Sequence, residues 1–260
     1  MSRGTHRIEG ALRGGASSGR PRLVPFLCGG HPGRAAFPRL LARVAEHADV
    51  IEIGVPFSDP MADGVTIQRA SAQALADGTT LTWLLEVVAQ VRPAAPVVLM
   101  SYLNPLMSFG LGRLGEAAAR AGVSGFIVPD LPLEERALVG PSLDAAGVAL
   151  IQLVTPLTSP ARLARLCQAS RGFVCAGTRA GTTGAQVALP DEVAAYLDRV
   201  RAVSPMPVCA GFGIRDAGHV AALAGHADGA IVGSALIDAI KAGQDPAGFV
   251  AALRSGAADA

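Results

Sequence analysis

In the segment VIEIGVPFSDPMADG (residues 50–64), Glu52 interrupts an apolar run of Val50, Ile51, Ile53 and Val55, and a second acid, Asp63, follows the next turn. Burying an unpaired carboxylate costs on the order of several kcal/mol unless the group holds its proton. Two readings of Glu52 follow. It is a structural carboxylate bonded to backbone or arginine, or it is a general acid/base whose pKa burial has raised toward the working pH. Asp63 would complete an acid/base pair in two different environments. Taken alone it reads as a solvated loop aspartate before the helix TIQRASAQALA.

Residues that are missing narrow the chemistry further. An imine-forming aldolase needs a lysine on a strand, and the only lysine, Lys241, lies in the C-terminal helical region. A metal aldolase needs converging ligands, and His6, His31, His47, His219 and His226 form no such pattern. No GxSxG elbow or Ser/His/Asp grouping occurs. Acid/base chemistry without metal or cofactor is what survives.

These side chains need a frame. Apolar runs recur at residues 23–28, 50–55, 97–102, 125–130, 149–154, 172–177, 207–213 and 229–235. None alternates cleanly between apolar and polar, as expected of strands buried on both faces of a parallel sheet. Amphipathic stretches lie between them at 37–48, 81–91, 113–122 and 192–203. Ser159-Pro160 marks one helix start, and Gly122 and Gly147 mark two helix ends. Eight strands with helical connections in about 250 residues predict an α/β fold, a single (β/α)8 TIM barrel. The competing open doubly wound sheet often carries GxGxxG after its first strand, and GGHPG (29–33) is not that motif. The expected organisation is a loose leader over residues 1–22 and a barrel domain over 23–260.

In such a barrel the strand C-termini and the loops after them face the active site. Tyr102 ends the third strand, and Asp130 ends the fourth. Arg179, Thr183 and Gly184 belong to GTRAGTTGA after the sixth, Gly211, Phe212 and Gly213 follow the seventh, and Gly233 and Ser234 end the eighth. Most glycines simply serve tight turns. Three glycine-rich loops on adjacent strands instead favour a phosphate site, where backbone N–H groups and the Ser234 hydroxyl approach the anion.

Composition excludes several classes. Half of the 260 residues are hydrophobic and 17% are charged, so a sizeable core forms and global disorder is excluded. A net charge of +1 offers no electrostatic reason to bind nucleic acid or an acidic membrane surface. No apolar run approaches the ~20 residues of a membrane span, and the N-terminus lacks the apolar core of a secretory signal. A cytoplasmic protein is expected, with Cys28, Cys167, Cys175 and Cys209 as reduced, buried small hydrophobes.

The segments PFLCGGHPG, EIGVPFSDPMADGVTIQRA, SYLNPL, GVSGFIVPDLPLEE, RAGTTGA and GFGIRDAGHV…GAIVGSALI resemble the tryptophan synthase alpha chain family, in order, across residues 23–240. The resemblance implies a lyase of tryptophan biosynthesis that splits indole-3-glycerol phosphate into indole and glyceraldehyde 3-phosphate by a cofactor-free retro-aldol reaction. By position, Glu52 matches the family's buried acid/base and Asp63 its indole-side carboxylate. Phe26, Met100, Ile127 and Phe212 match the apolar indole pocket, where Tyr102 and Cys175 also stand beside substrate. Gly184, Gly211, Gly213, Gly233 and Ser234 match the phosphate side, and Arg179 and Thr183 a loop that closes over the site. The resemblance also implies a pyridoxal-phosphate-dependent beta chain as partner in an alpha2-beta2 complex, met by SDPMADG and LNPLMS.

Three departures accompany it. Cys175 replaces a usual tyrosine, Gly29 and His31 alter the first loop, and the leader GALRGGASSGRP is a weak version of the family's first helix because its glycines and proline oppose helix formation. Two other functions therefore stand beside the first. One is a stand-alone lyase or a paralogue acting on a substituted indole. The other is an impaired homologue that binds and activates a beta chain, against which the retained carboxylates and phosphate glycines argue.

Overall fold

The computed structural model describes residues 3–13, 19–177, 189–211 and 213–255. Eight strands occur in chain order: β1 Arg22–Cys28, β2 Ile51–Gly54, β3 Val97–Met100, β4 Val123–Ile127, β5 Ala149–Val154, β6 Val174–Gly177, β7 Val208–Gly211 and β8 Gly229–Val232. Each pairs in parallel with the next, and β8 returns to β1 to close a barrel. Closure removes the free edges that would template aggregation.

Two apolar clusters follow from the period of two along each strand. One face of β2, Ile51 and Ile53 with Val55 just beyond, packs outward in the layer between strands and helices. The other face points inward, where Val50 joins Val24, Val98, Ile151, Phe173, Cys209 and Ile231. Glu52 belongs to this inward face, level with Phe26 on β1 and Val98 on β3. Gly54, the next inward position, is glycine for a reason of space. A Cβ there would lie 2.5 Å from the ring of Phe26, which fills the room above Glu52.

The helices begin and end where their residues dictate. The helix Leu81–Val91 is capped by Thr80, whose side chain accepts from the Trp83 amide, and Pro160–Ala169 starts with proline after Ser159. Leu111–Ala121 and Gly140–Ala146 end on Gly122 and Gly147 in the left-handed conformation.

The leader departs from expectation. Arg3–Arg13 is a helix, with Ile8 and Leu12 completely buried in the inward cluster. It docks on the β4 side, where the Gly4 amide donates to the Gly147 carbonyl at 2.9 Å. Glycines at positions 4 and 10 lower helix propensity by about 1 kcal/mol each, but burying Ile8 and Leu12 offsets more than that. Residues 14–18 lie outside the described residues.

Candidate active site

Strand ends on one side of the barrel and the loops beyond them enclose a cavity of about 140 Å³, open to solvent. Of the predicted site residues, Phe26, Glu52, Asp63, Met100, Ile127, Cys175, Gly211, Gly213, Gly233 and Ser234 all line it. Arg179, Thr183, Gly184 and Phe212 lie outside the described residues. The sequence reading missed Gly64, Ile67, Leu153, Ile214 and Ile231, which complete the wall. The four apolar ones carry no mark that separates them from core residues, although Leu153 and Ile231 share the inward parity of the strands that hold them.

Glu52 stands deep in this cavity, 3% exposed, and its Oε2 is buried without a hydrogen-bond partner. Burial is the main force raising its pKa, and the neighbouring charge of Asp63 adds to it, bringing the group to about 8. No arginine reaches it, so the structural reading, a carboxylate paired or bonded to backbone, does not describe this side chain among the described residues.

Asp63 sits in the loop after β2, immediately before the helix Val65–Ala76. Burial raises it to about 6, opposed by a hydrogen bond from Tyr102. The Tyr102 hydroxyl donates to Asp63 Oδ2 at 3.3 Å and accepts from the Ala62 amide at 2.9 Å. Tyr102 therefore meets Asp63 from an adjoining recess lined also by Cys28, Gly54 and Ser71. The two carboxylates differ as an acid/base pair requires, one buried and protonated near neutral pH, the other more readily ionised.

The helix Ser234–Lys241 begins at the end of β8, two strands from β2 around the barrel, with Gly233 and Ser234 on the cavity wall. Amides in the first turn of a helix have no intrahelical acceptor, and with the helix dipole they favour an anion. Gly213, in the left-handed region at φ 90°, faces the same end of the cavity from the loop after β7. The cavity thus combines apolar walls and two acids with a helix N-terminus suited to an anion.

Other expectations resolve differently. Asp130 serves structure: its carboxylate accepts the Leu103 amide at 2.9 and 3.2 Å, fixing the start of the helix Leu103–Phe109. Gly29 and His31 are not among the residues lining the cavity. A Cβ on Gly29 would press on the Leu84 side chain at 2.7 Å, which accounts for the small residue there. All four cysteines are free and buried; Cys175 and Cys209 are level on β6 and β7, and burial raises both well above the usual thiol range. Among the described residues no group of three His, Cys, Asp or Glu side chains is placed to hold a metal ion.

A parallel (β/α)8 barrel whose apolar cavity is lined by two unlike carboxylates and a helix N-terminus defines an acid/base enzyme of small phosphorylated molecules. The model of the family "Tryptophan synthase alpha chain" matches residues 14–257, and the chain belongs to that family. It is 46% identical over 253 residues to the tryptophan synthase alpha chain of Solidesulfovibrio magneticus, covering 96% of this chain and 97% of the relative. The Deinococcus radiodurans alpha chain is 38% identical, covering 98% and 96%. Among solved structures, a chain of the Mycobacterium tuberculosis tryptophan synthase superposes with a TM-score of 0.89 at 34% identity, covering 96% of this chain and 97% of that one. The alpha subunit from Legionella pneumophila superposes at 0.86 and 34% identity, covering 98% of both. Family membership makes the chain a lyase of tryptophan biosynthesis, cleaving indole-3-glycerol phosphate to indole and glyceraldehyde 3-phosphate.

Proposed function

We propose that Glu52 and Asp63 carry this cleavage in named roles, a reading supported chiefly by the buried Glu52 carboxyl, whose Oε2 has no hydrogen-bond partner among the described residues. Breaking the carbon–carbon bond directly would leave an indole carbanion, so C3 of the ring must be protonated first. Glu52, held protonated by burial, gives that proton and produces the cationic indolenine. Asp63 accepts a hydrogen bond from the ring N–H and stabilises the positive charge. The Glu52 carboxylate then takes the proton of the glycerol hydroxyl. The O–H electrons form the aldehyde, the broken bond's pair returns to the ring, and indole and glyceraldehyde 3-phosphate leave with all atoms accounted for.

Phe26, Met100, Ile127 and Cys175 pack on the indole, and Gly211, Gly213, Gly233 and Ser234 hold the phosphate. Arg179, Thr183, Gly184 and Phe212, which lie outside the described residues, are assigned to substrate binding in this reading on the family resemblance. The reaction requires no metal or cofactor. No described helix is long and apolar enough to cross a membrane, and the reading places the reaction in the cytoplasm.

The partner in this reading is a pyridoxal-phosphate-dependent beta chain that consumes indole in an alpha2-beta2 complex. Exposed Met61 and Met107, 82% and 54% accessible, lie in the loop after β2 and the helix Leu103–Phe109, segments that also line a groove at Pro56, Phe57, Asn104 and Pro105. Apolar side chains this exposed beside a groove fit a protein contact.

The test is indole release from indole-3-glycerol phosphate with and without a beta chain. Turnover rises with pH through about 6 as Asp63 ionises and falls through about 8 as Glu52 loses its proton. The beta chain increases it, and Met107→Asp removes the increase but keeps the basal rate. Absence of turnover in both arms would defeat the reading. Strong turnover that the partner leaves unchanged would make the chain a stand-alone lyase.

A further inference from the structure

We propose that Tyr102 is a positioning residue: its hydroxyl, with its acceptor side taken by the Ala62 amide, commits its single proton to Asp63 and holds that carboxylate in place to receive the substrate. The inference rests on the reading of Asp63 as the acid that meets the indole N–H.

Direction is what the geometry supplies. A phenol has one proton and can donate or accept. The Ala62 N–H, 2.9 Å away, can only donate, so the Tyr102 oxygen accepts from it and turns its proton toward Asp63 Oδ2 at 3.3 Å. A hydrogen bond to an ionised carboxylate is stronger than one between neutral groups and favours the ionised form.

The ring cannot easily swing away. It packs on Phe57 with centroids 5.1 Å apart and planes tilted by 31°. Phe57 is itself clamped by buried Ser71, whose hydroxyl accepts the Phe57 amide at 2.9 Å and donates to the Phe57 carbonyl at 3.1 Å. On the other side, Asp130 fixes the backbone directly after Tyr102 by accepting the Leu103 amide. The β2 loop, the helix Val65–Ala76 and the β3 end therefore converge on one hydroxyl.

Other groups share this space. Glu52 from β2 and Cys28 from β1 interact with Asp63, and Asp130 from the loop after β4 acts on Tyr102. Burial makes a charge on Asp63 less favourable, whereas the Tyr102 hydroxyl supports it, and that charge in turn disfavours ionisation of Glu52 and Cys28. The same hydroxyl ties Asp63 to the exposed loop that carries Met61 and Ala62. A displacement of that loop which withdraws the Ala62 amide frees the hydroxyl to turn away from Asp63.

Tyr102→Phe removes the hydroxyl and keeps the ring on Phe57. The expected result is a kcat lower by about ten- to a hundredfold, the loss of one hydrogen bond to a charged group. KM stays unchanged, and the acid limb of the kcat–pH profile moves to higher pH, because Asp63 has lost the donor that favoured its ionised form. An unmoved limb, or a change confined to KM, would overturn the proposal. If the variant fails to fold, 3-fluorotyrosine incorporated in a Tyr196→Phe background labels Tyr102 alone, since the chain has 2 tyrosines. Among the described residues the Tyr196 hydroxyl has no hydrogen-bond partner to lose. The more acidic fluorophenol donates more strongly and moves the acid limb to lower pH; an unmoved limb again overturns the role. Asp63→Asn is assayed in parallel. Near-normal turnover there would remove Asp63, and Tyr102 with it, whereas an inactive Asp63→Asn beside a normal Tyr102→Phe would remove Tyr102 alone.

Discussion

Glu52 holds its proton because the barrel surrounds it with Phe26, Val98 and Cys175 and offers Oε2 no donor. The cost of that burial appears as a dependence of stability on pH. The folded-state pKa of about 8 lies above the ordinary 4.5, so the folded protein binds the extra proton between these values. The stability this proton contributes is fully present below 4.5 and is lost as pH rises through about 8. Glu52→Gln cannot ionise, so its melting temperature should gain on wild type progressively across this window. A constant difference over the window, measured by thermal melts, would mean that Glu52 is not perturbed in the folded state. At this scale the sequence was informative for Glu52, a charge inside an apolar run. It was silent on the Tyr102–Asp63–Ala62 relation, which exists only because folding brings residues 62, 63 and 102 together. Ile67, Leu153, Ile214 and Ile231 escaped notice for the opposite reason, being apolar among many apolar residues.

At the scale of elements, the strand runs located all eight strands because parallel strands buried on both faces must be apolar throughout. Some ends were overrun, as for 97–102 against Val97–Met100, since buried Ser101 and Tyr102 extend the run past the last strand pairing. The leader was misread because local propensity was weighed without tertiary packing. Ile8 and Leu12, one helical turn apart, were the signal that Arg3–Arg13 forms a helix and buries one face against the barrel. Ile8→Ala should therefore destabilise the protein by about 2–5 kcal/mol, the range for truncating a fully buried isoleucine. Urea unfolding measures this, and a loss within experimental error would show that the helix is not part of the cooperative core.

The whole molecule separates two tasks in space. In the proposed mechanism proton transfer belongs to β2 and the loop after it, whereas anion binding belongs to residues beyond β7 and β8, all of them lining one cavity. The barrel was legible from the number and spacing of strands, and its cavity followed from the rule that strand ends meet on one face. The glycine-rich segment 177–185 was legible only as a stretch of sequence, and most of it lies outside the described residues. Because the two groups of residues rest on different strands, chemistry and binding should come apart when one is altered. The most direct measurement is Glu52→Gln, assayed for single-turnover indole formation and, in parallel, for equilibrium binding of indole-3-glycerol phosphate. The isosteric amide should abolish cleavage while affinity stays close to wild type. Indole formation at a near-normal rate in that variant would contradict the account and take Glu52 out of the mechanism.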